Sequence, residues 1–482
     1  MTPAVAILLV LAAYNLALIL IGLWASRRTR DTEDFFLGGR QLGALVAAIS
    51  ASASSSSAWT LLGVSGAAYV WGLPAFWLFP ATLLGFLINW LWVAPRLMAV
   101  SRAQGALTLA EIIAGNPRHK LYPLIMTAAS CIIVFSFIFY VASQFQAAGN
   151  AFATSFGLSM GASILLGAGI ILVYTLLGGF WAVSVTDTLQ GLLMAVTAIW
   201  LPLAALSAAG GWRGLWAGLA APGSPGTGGL LAVPADLVGL GFVLGTLGIG
   251  LGYPGQPHVV NRFMALKSRQ ALRQARIIAL VWATVIYAGM LLLGWCGRVL
   301  FGDLDQTEQV FFHVTHAVLP PGIAGIMIAA VLSAIMSTAD SQLLVSASSV
   351  AHDLPRAWDA EERGLPTSRW VVLALCVLAA LLALWVPDDI FTRVLFAWHA
   401  VGSSFGPILL VRLTGRAIQS RAILAALCAG FGLTLLLHFQ GDWPGDVAER
   451  LLPFAVALGI AILGRKTPGD AVVISLPGSG RT

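Results

Sequence analysis

The chain has 482 residues, of which 59% are hydrophobic and only 10% are charged, and its mean hydropathy is +0.89. Soluble domains carry roughly 25% charged residues, so this composition excludes a soluble globular protein and indicates a multi-pass membrane protein. Hydropathy predicts thirteen membrane spans, centred near residues 14, 53, 86, 135, 168, 195, 248, 286, 336, 377, 401, 429 and 457.

The basic residues predict the orientation of these spans. The first span, residues 4–25, precedes Arg27, Arg28 and Arg30 rather than a small-residue cleavage site, so we interpret it as a retained helix and not a signal peptide. With the N-terminus outside and thirteen alternating helices, 22 of the 26 basic residues fall on the cytoplasmic side. The net charge of +6 is therefore a topology signal, and the scattered charges do not predict nucleic-acid binding. The four basic residues left outside are Arg213, Arg298, Arg393 and Arg450.

The second span contains a serine-rich stretch. Six of the eight residues from 50 to 57 are serine, within an uncharged apolar segment of residues 41–66. Serine side chains bond nearby backbone groups and compete with helical hydrogen bonding. The stretch predicts a helix that opens at mid-membrane and exposes oxygen ligands to a small cation and a solute. A packing face of small residues between two helices is the alternative.

A second interrupted helix is predicted in the seventh span, around residues 235–260. Its glycines are accompanied by Pro254 and Pro257, and proline removes a helical hydrogen bond. Two interrupted spans five apart in order are typical of an inverted five-plus-five repeat with the binding site between the interruptions. The alternative is that glycine and proline are simply frequent in membrane helices.

The ninth span, about residues 322–350, has the most polar helix face. Ser333, Ser337 and Ser341 recur every four residues and share one side, flanked by Thr338 and Asp340. A carboxylate at this depth costs roughly 2.5–3.5 kcal/mol on insertion scales unless it faces the bundle interior. Sodium requires oxygen ligands, which this face and the opened second helix would supply. A serine and threonine packing face with Asp340 bonded to a neighbouring helix is the alternative.

Two further titratable residues lie within predicted spans. Asp187 is one turn inside the sixth span, where an ionic role competes with helix capping. His399, in the eleventh span, is either a proton carrier or a hydrogen-bonded core residue. The sequence shows no phosphate-binding loop, no metal cluster and no nucleophile–base set, so we expect neither an enzyme nor an organic cofactor. Four cysteines without CxxC spacing are interpreted as core residues: Cys131, Cys296, Cys376 and Cys428.

Several segments together resemble the sodium/solute symporter family, and most closely its sodium/proline symporter branch. They cover the chain from about residue 30 to about residue 415, and their combination is specific. The segments are residues 36–40 with 50–59, 178–180 with 182–190, 250–253 with 255–258 and 262–265, 336–338 with 341–345, and 405–407.

The resemblance implies thirteen helices, an extracellular N-terminus and a LeuT-like five-plus-five core with broken second and seventh helices. It also implies a sodium site between the second and ninth helices, and a second ion or coupling site near the aspartate of the sixth. By motif position, the sodium ligands are Ala53, Ser56, Ala334, Ser337 and Thr338, and the second group is Asp187, Asp340 and Ser341. The expected solute site, between the two interruptions, contains Ser54, Ser55, Ser57, Trp59, Tyr253, Gln256 and Pro257.

Three positions depart from the proline branch that the chain resembles. Ser55 stands where those transporters have an aspartate, Ile249 where they have a tryptophan, and His399 where they have no histidine. The first departure bears on sodium affinity or stoichiometry, and the second removes an aromatic wall from the expected pocket. The solute is therefore expected to be proline, a related amino acid or another small carboxylate.

The sequence thus predicts a sodium-coupled symporter of the bacterial inner membrane that imports a small organic solute, with the C-terminus in the cytoplasm. Proton coupling through His399 or Asp340 is the alternative, and a membrane sensor is a weaker alternative. A channel is not expected, because the sequence lacks rings of charged residues that would line a pore. We expect one transmembrane domain over residues 1–465, with its core at about 41–415, and a disordered cytoplasmic tail at 466–482. The expected partners are the solute, the coupling ion Na⁺ and the lipid bilayer, without nucleic acid or an obligatory protein partner.

Overall fold

A computed structural model describes residues 3–26, 37–177, 180–221, 233–234, 236–358, 365–386, 389–440 and 443–465. The described residues are predominantly helical, as expected where lipid leaves no other partner for backbone polar groups. The long helices are α1 (Pro3–Ser26), α2 (Ala44–Trp71), α3 (Leu73–Gln104), α4 (Tyr122–Phe156), α5 (Met160–Leu177), α6 (Phe180–Ala208), α7 (Leu237–Gly255, continued by Pro257–Met264), α8 (Arg269–Leu300), α9 (Pro321–Ala357), α10 (Leu365–Trp385), α11 (Ile390–Arg412), α12 (Ser420–His438) and α13 (Val447–Leu463).

Within the described residues, eleven of these helices are long and apolar enough to span a membrane. The two shorter ones, α5 and α13, lie where the other two spans were predicted, so the count of thirteen spans stays a prediction. The predicted tail at 466–482 lies outside the described residues, as do Arg27, Arg28, Arg30 and the motif residues Phe36, Gly178 and Gly179.

Helix α2 is interrupted at Ser57, whose φ of 53° and ψ of −175° are not helical. The Ser57 hydroxyl accepts the N–H of Trp59 at 3.1 Å, and Gln144 Oε1 of α4 accepts the N–H of Ala58 at 3.0 Å. Side chains thus replace the backbone acceptors that the interruption removes, as buried amide groups require. The predicted opening of the serine-rich helix is confirmed.

Helix α7 is interrupted as well. Its α-helical part ends at Gly248, residues Ile249–Gly255 form a 3₁₀ turn, and Gln256 is extended with φ −83° and ψ 104°. A new helix then begins at Pro257, a residue suited to a first helical turn. Gly252 is required here, because a Cβ at this position would lie 2.1 Å from Trp398 Nε1.

Helices α2, α9 and α11 lie in the centre of the bundle. In the apolar 18-residue stretch of each helix, 89%, 83% and 94% of the residues are buried in α2, α9 and α11. The corresponding shares in α1 and α12 are only 17% and 28%. Helix α11 begins at the Glu308 carboxylate, which accepts the N–H groups of Ile390 and Phe391 at 3.0 and 2.8 Å. The polar helices are therefore enclosed, and the apolar ones face the lipid.

Candidate functional site

The serine-rich part of α2 contacts the polar face of α9 through side-chain hydrogen bonds. The Ser54 hydroxyl donates to the Ser337 carbonyl at 3.3 Å and lies 3.0 Å from Ser341 Oγ. In return, Thr338 Oγ1 donates to the Ser54 carbonyl at 3.1 Å. All four residues are buried. The hydroxyls and carbonyls at this junction are the hard oxygen ligands that an alkali cation requires.

Only some of the expected sodium ligands are joined to this junction by hydrogen bonds. Ser337 Oγ is 3.3 Å from the Ala334 carbonyl, so two of the expected oxygens are neighbours on α9. Ala53 and Ser56 are buried on the α2 side, and the Ser56 carbonyl accepts the Thr60 hydroxyl. Within the described residues, no hydrogen bond joins Ala53 or Ser56 to α9. These two residues are therefore assigned to the junction because they are buried and lie beside Ser54 in α2.

Asp187 of α6 forms an ion pair with Arg262, one of the 22 basic residues that the charge count placed on the cytoplasmic side. Arg262 Nη2 lies 3.0 Å from Asp187 Oδ2, and the two side chains are 2% and 0% exposed. Arg262 also donates to Ser50 Oγ at 3.0 Å and to Ser341 Oγ at 2.6 Å, and Ser50 donates to Asp187 at 2.7 Å. This arginine is thus a buried member of the α2–α6–α9 junction. Arg262 therefore lies in a helix and in the core, not among the solvated charges of a loop.

Asp340 is a second carboxylate beside this network. Its Oδ1 is 3.4 Å from Ser341 Oγ, and its Oδ2 has no hydrogen-bond partner within the described part of the chain. Asp340 is fully buried. One guanidinium can compensate one of the two carboxylates, and a second buried negative charge is too costly to remain alone. The described residues therefore place two buried carboxylates beside a single guanidinium in this cluster.

Several aromatic residues around the expected solute site contact one another near the interruption of α2. Tyr140 of α4 donates its phenol to Ser57 Oγ at 3.3 Å, directly at the α2 interruption. The Trp59 ring lies 6.4 Å from that of Tyr287, and Tyr287 Oη is 2.9 Å from Tyr253 Oη. Trp59 and Tyr253 are therefore connected through Tyr287, a residue that the sequence analysis did not identify.

Gln256 and Ile249 both contact α11 through the same residue. Gln256 Nε2 donates to the Trp398 carbonyl at 2.9 Å, and Trp398 Nε1 donates to the Ile249 carbonyl at 3.1 Å. The Trp398 ring packs edge-on against Tyr253 at 4.7 Å. An aromatic ring thus stands beside Tyr253 even though Ile249 has none. Pro257 is buried at the start of the second half of α7.

Within the described residues, no hydrogen bond joins Ser55 or His399 to the carboxylate cluster. The Ser55 hydroxyl donates to the Ser52 carbonyl of its own helix at 2.9 Å. His399 is 1% exposed, and its Nε2 has no hydrogen-bond partner in the part of the chain described. Within the described residues, no hydrogen bond or ion pair joins His399 to Asp187 or Asp340, so the geometry gives it no connection to the carboxylate cluster.

A separate ionic cluster lies at the end of α9 against the short helix Leu109–Ala114. Glu111 of that helix accepts from Arg356 at 3.2 Å, lies 3.3 Å from His352 Nε2, and caps the N–H of Leu107 at 2.8 Å. Burial raises the pKa of Glu111, but the His352 and Leu107 hydrogen bonds and the Arg356 charge outweigh burial and hold this pKa below its usual value. Asp353 is the other carboxylate of this cluster, and its Oδ1 accepts the Thr108 hydroxyl at 2.9 Å.

Two interrupted helices beside a polar helix, in a bundle of apolar helices, are typical of a secondary transporter. The chain belongs to the sodium:solute symporter family, whose sequence profile matches residues 35–430. It is 34% identical to the osmoregulated proline transporter OpuE of Bacillus subtilis, over 93% of this chain and 92% of that protein. It is 33% identical to the sodium/proline symporter of Escherichia coli, over 96% and 94%.

Solved structures share this fold at low sequence identity. A Na⁺-coupled sialic acid symporter in a substrate-bound outward-open state matches with a TM-score of 0.77 and 18% identity, over 96% of this chain and 98% of that one. A nucleobase-cation-symport-1 family transporter in a closed conformation matches with a TM-score of 0.57 and 15% identity, over 90% and 95%. The LeuT-like architecture expected from the sequence is confirmed.

Proposed function

We propose that this protein imports a small zwitterionic amino acid together with Na⁺, and that proline is the first candidate solute. The observation that carries this proposal is the buried junction of the opened helix α2 with the hydroxyl face of α9. Relatives that cover nearly the whole chain are named sodium/proline symporters, which supports both the ion and the solute. Membership of this family makes the protein a transporter that is driven by sodium.

The first sodium site in this proposal lies between α2 and α9. Its ligands are the carbonyls of Ala53, Ser56 and Ala334 and the hydroxyls of Ser337 and Thr338. The Thr338 hydroxyl donates its hydrogen to the Ser54 carbonyl, which leaves the lone pairs of Thr338 Oγ1 available to a cation. Because the surroundings are dry, water cannot replace a lost oxygen ligand.

A second positive charge is proposed at Asp187, Asp340 and Ser341. Arg262 neutralises Asp187, so Asp340 is the carboxylate that requires a proton or a second cation. A proton on Asp340 is the alternative to a second sodium ion at this position, and no hydrogen bond or ion pair joins His399 to this cluster within the described residues.

The proposed solute site lies between the two interruptions, on Ser54, Ser55, Ser57, Trp59, Tyr253, Gln256 and Pro257. The helix that begins at Pro257 directs its positive dipole end toward the break, which suits a carboxylate. The buried Trp59 indole N–H has no hydrogen-bond partner in the described residues, so it is a further available donor. Trp398 supplies the aromatic wall that Ile249 lacks.

The proposal includes an orientation in the bacterial inner membrane. The N-terminus lies outside and the C-terminus inside, and residues 1–465 form one transmembrane domain around a core at about 41–415. The basic asymmetry of the sequence supports this orientation, although Arg262 belongs to the core rather than to a loop. The bilayer and the solute are the proposed partners.

Uptake into proteoliposomes tests the function. Radiolabelled proline, alanine, glutamate and pyruvate are compared at fixed pH under an inward sodium gradient and with sodium replaced by choline. We expect proline to accumulate only with sodium. Accumulation in choline under an inward proton gradient would show proton coupling instead. Accumulation of pyruvate alone would show that the transported solute is a carboxylate and not an amino acid.

A further inference from the structure

A small polar cavity lies away from the core junction, between the ends of α11, α12 and α13. Its volume is about 120 Å³, and a cavity needs only ~10–15 Å³ to hold one water molecule, so this one can hold a small organic molecule. In the proposed topology it opens to the outside. Its polar wall is formed by Thr392, His438, Asp446, Glu449 and Arg450.

Arg450 is the buried cation of this wall. Its side chain is only 6% exposed, and its Nη2 donates to Asp446 one turn earlier. No other hydrogen bond of Arg450 is found among the described residues, so Nε and Nη1 remain available. A guanidinium is a planar fork that matches a carboxylate with two parallel hydrogen bonds. The buried donors of Arg450 therefore fit a carboxylate ligand.

The opposite charge is also present in the wall. Glu449 lies 3.3 Å from His438 Nδ1, with side chains that are 17% and 21% exposed. Asp446 and Glu449 together outnumber the single guanidinium, so a simple anion would meet net repulsion. A ligand that carries an ammonium group beside its carboxylate satisfies both signs. Leu395, Leu437 and Trp443 supply the apolar remainder of the wall.

We propose that this cavity binds a free small zwitterionic amino acid, with its carboxylate on Arg450, its ammonium on Glu449 and its side chain against Leu395 and Leu437. This site is separate from the core junction, and its occupancy does not depend on which solute the core transports. It places an amino-acid site at the outer ends of α11–α13, away from the α2–α9 junction.

Equilibrium binding to the purified full chain tests the proposal. Tritiated L-proline and L-alanine are titrated in sodium-free choline buffer, which excludes sodium-coupled binding at the core, onto the parent protein and onto Thr338→Ala. We expect saturable binding that Thr338→Ala leaves unchanged. Arg450→Gln and Glu449→Gln should each weaken it at least about tenfold, because each leaves one buried charge of the ligand unpaired. Propionate and propylamine, which carry one charge each, should compete poorly.

Two controls make the result decisive. Leu437→Trp fills the cavity without touching an ion pair, so it should abolish binding even if Arg450→Gln does not fold. Arg416→Gln removes an exposed arginine from the loop at the opposite ends of α11 and α12, and it should bind like the parent. Binding lost in Thr338→Ala, or unchanged in Leu437→Trp, would overturn the proposal. Displacement by glycerophosphoethanolamine and by no amino acid would show a lipid head-group site and overturn it as well.

Discussion

Replacing Thr338 by valine is the sharpest test of the α2–α9 sodium site. Valine keeps the branched shape of threonine and removes only the hydroxyl, whose oxygen lies 3.1 Å from the Ser54 carbonyl. Thr338 is fully buried, so water cannot take the place of the lost ligand. Leaving one polar partner unsatisfied in such a site costs about 1–3 kcal/mol.

This free energy sets the size of the expected effect. A loss of about 1–3 kcal/mol in sodium affinity raises the sodium concentration for half-maximal uptake by roughly five-fold to 150-fold. Solute affinity at saturating sodium should change much less. Thr338→Ser, which keeps the hydroxyl, should stay close to the parent.

The assay is initial uptake into proteoliposomes over a range of sodium concentrations at constant ionic strength. The parent, Thr338→Val and Thr338→Ser are compared at equal reconstituted protein. If Thr338→Val has the same sodium dependence as the parent, the hydroxyl is a packing contact and the proposed ligand set is wrong.

The remaining predictions concern charge, orientation and pH. Arg262→Gln should reduce the yield of folded protein strongly, because breaking a buried ion pair costs roughly 3–5 kcal/mol. Adding Asp187→Asn should restore the yield, measured by size-exclusion chromatography, and no restoration would show that Arg262 acts through other partners. In a cysteine-free background, Asp305→Cys should react with an impermeant maleimide on intact cells and Ser268→Cys should not; the reverse would invert the topology. Glu111→Gln should lower the unfolding temperature at pH 7. Because the pKa of Glu111 is lowered by folding, its stabilisation is present above an unfolded pKa of about 4.3 and is lost as pH falls through the folded value, so the two proteins should converge in acid. A difference that persists unchanged at low pH would contradict an ionic role.

Both helix interruptions were predictable because their causes are local. The serine run before Ser57 offers hydroxyls that replace backbone acceptors, and Pro254 and Pro257 remove backbone donors. Each effect acts within a few residues, so the sequence reveals it without knowledge of the packing.

The partners across the bundle were not predictable in the same way. Arg262 and Asp187 are 75 positions apart, and Trp398 meets Ile249 across 149 positions. Neither pairing leaves a periodic signal in the sequence. A basic residue just after an interrupted apolar span was the available sign for Arg262, but its position at a helix end also suited a loop charge. The ligand and solute residues themselves remain predictions.

The interruption of α7 has a consequence for the speed of transport. Gln256 already lies outside helical geometry, so the two halves of this helix can change their mutual angle without first breaking a ladder of backbone hydrogen bonds. A continuous helix would have to break such bonds in lipid, where each unsatisfied group costs several kcal/mol. That contribution to the activation barrier is absent here. Resistance to reorientation instead comes from side-chain contacts, foremost those of Gln256 and Tyr253 with Trp398, so substitutions at Trp398 should alter turnover more than equilibrium binding.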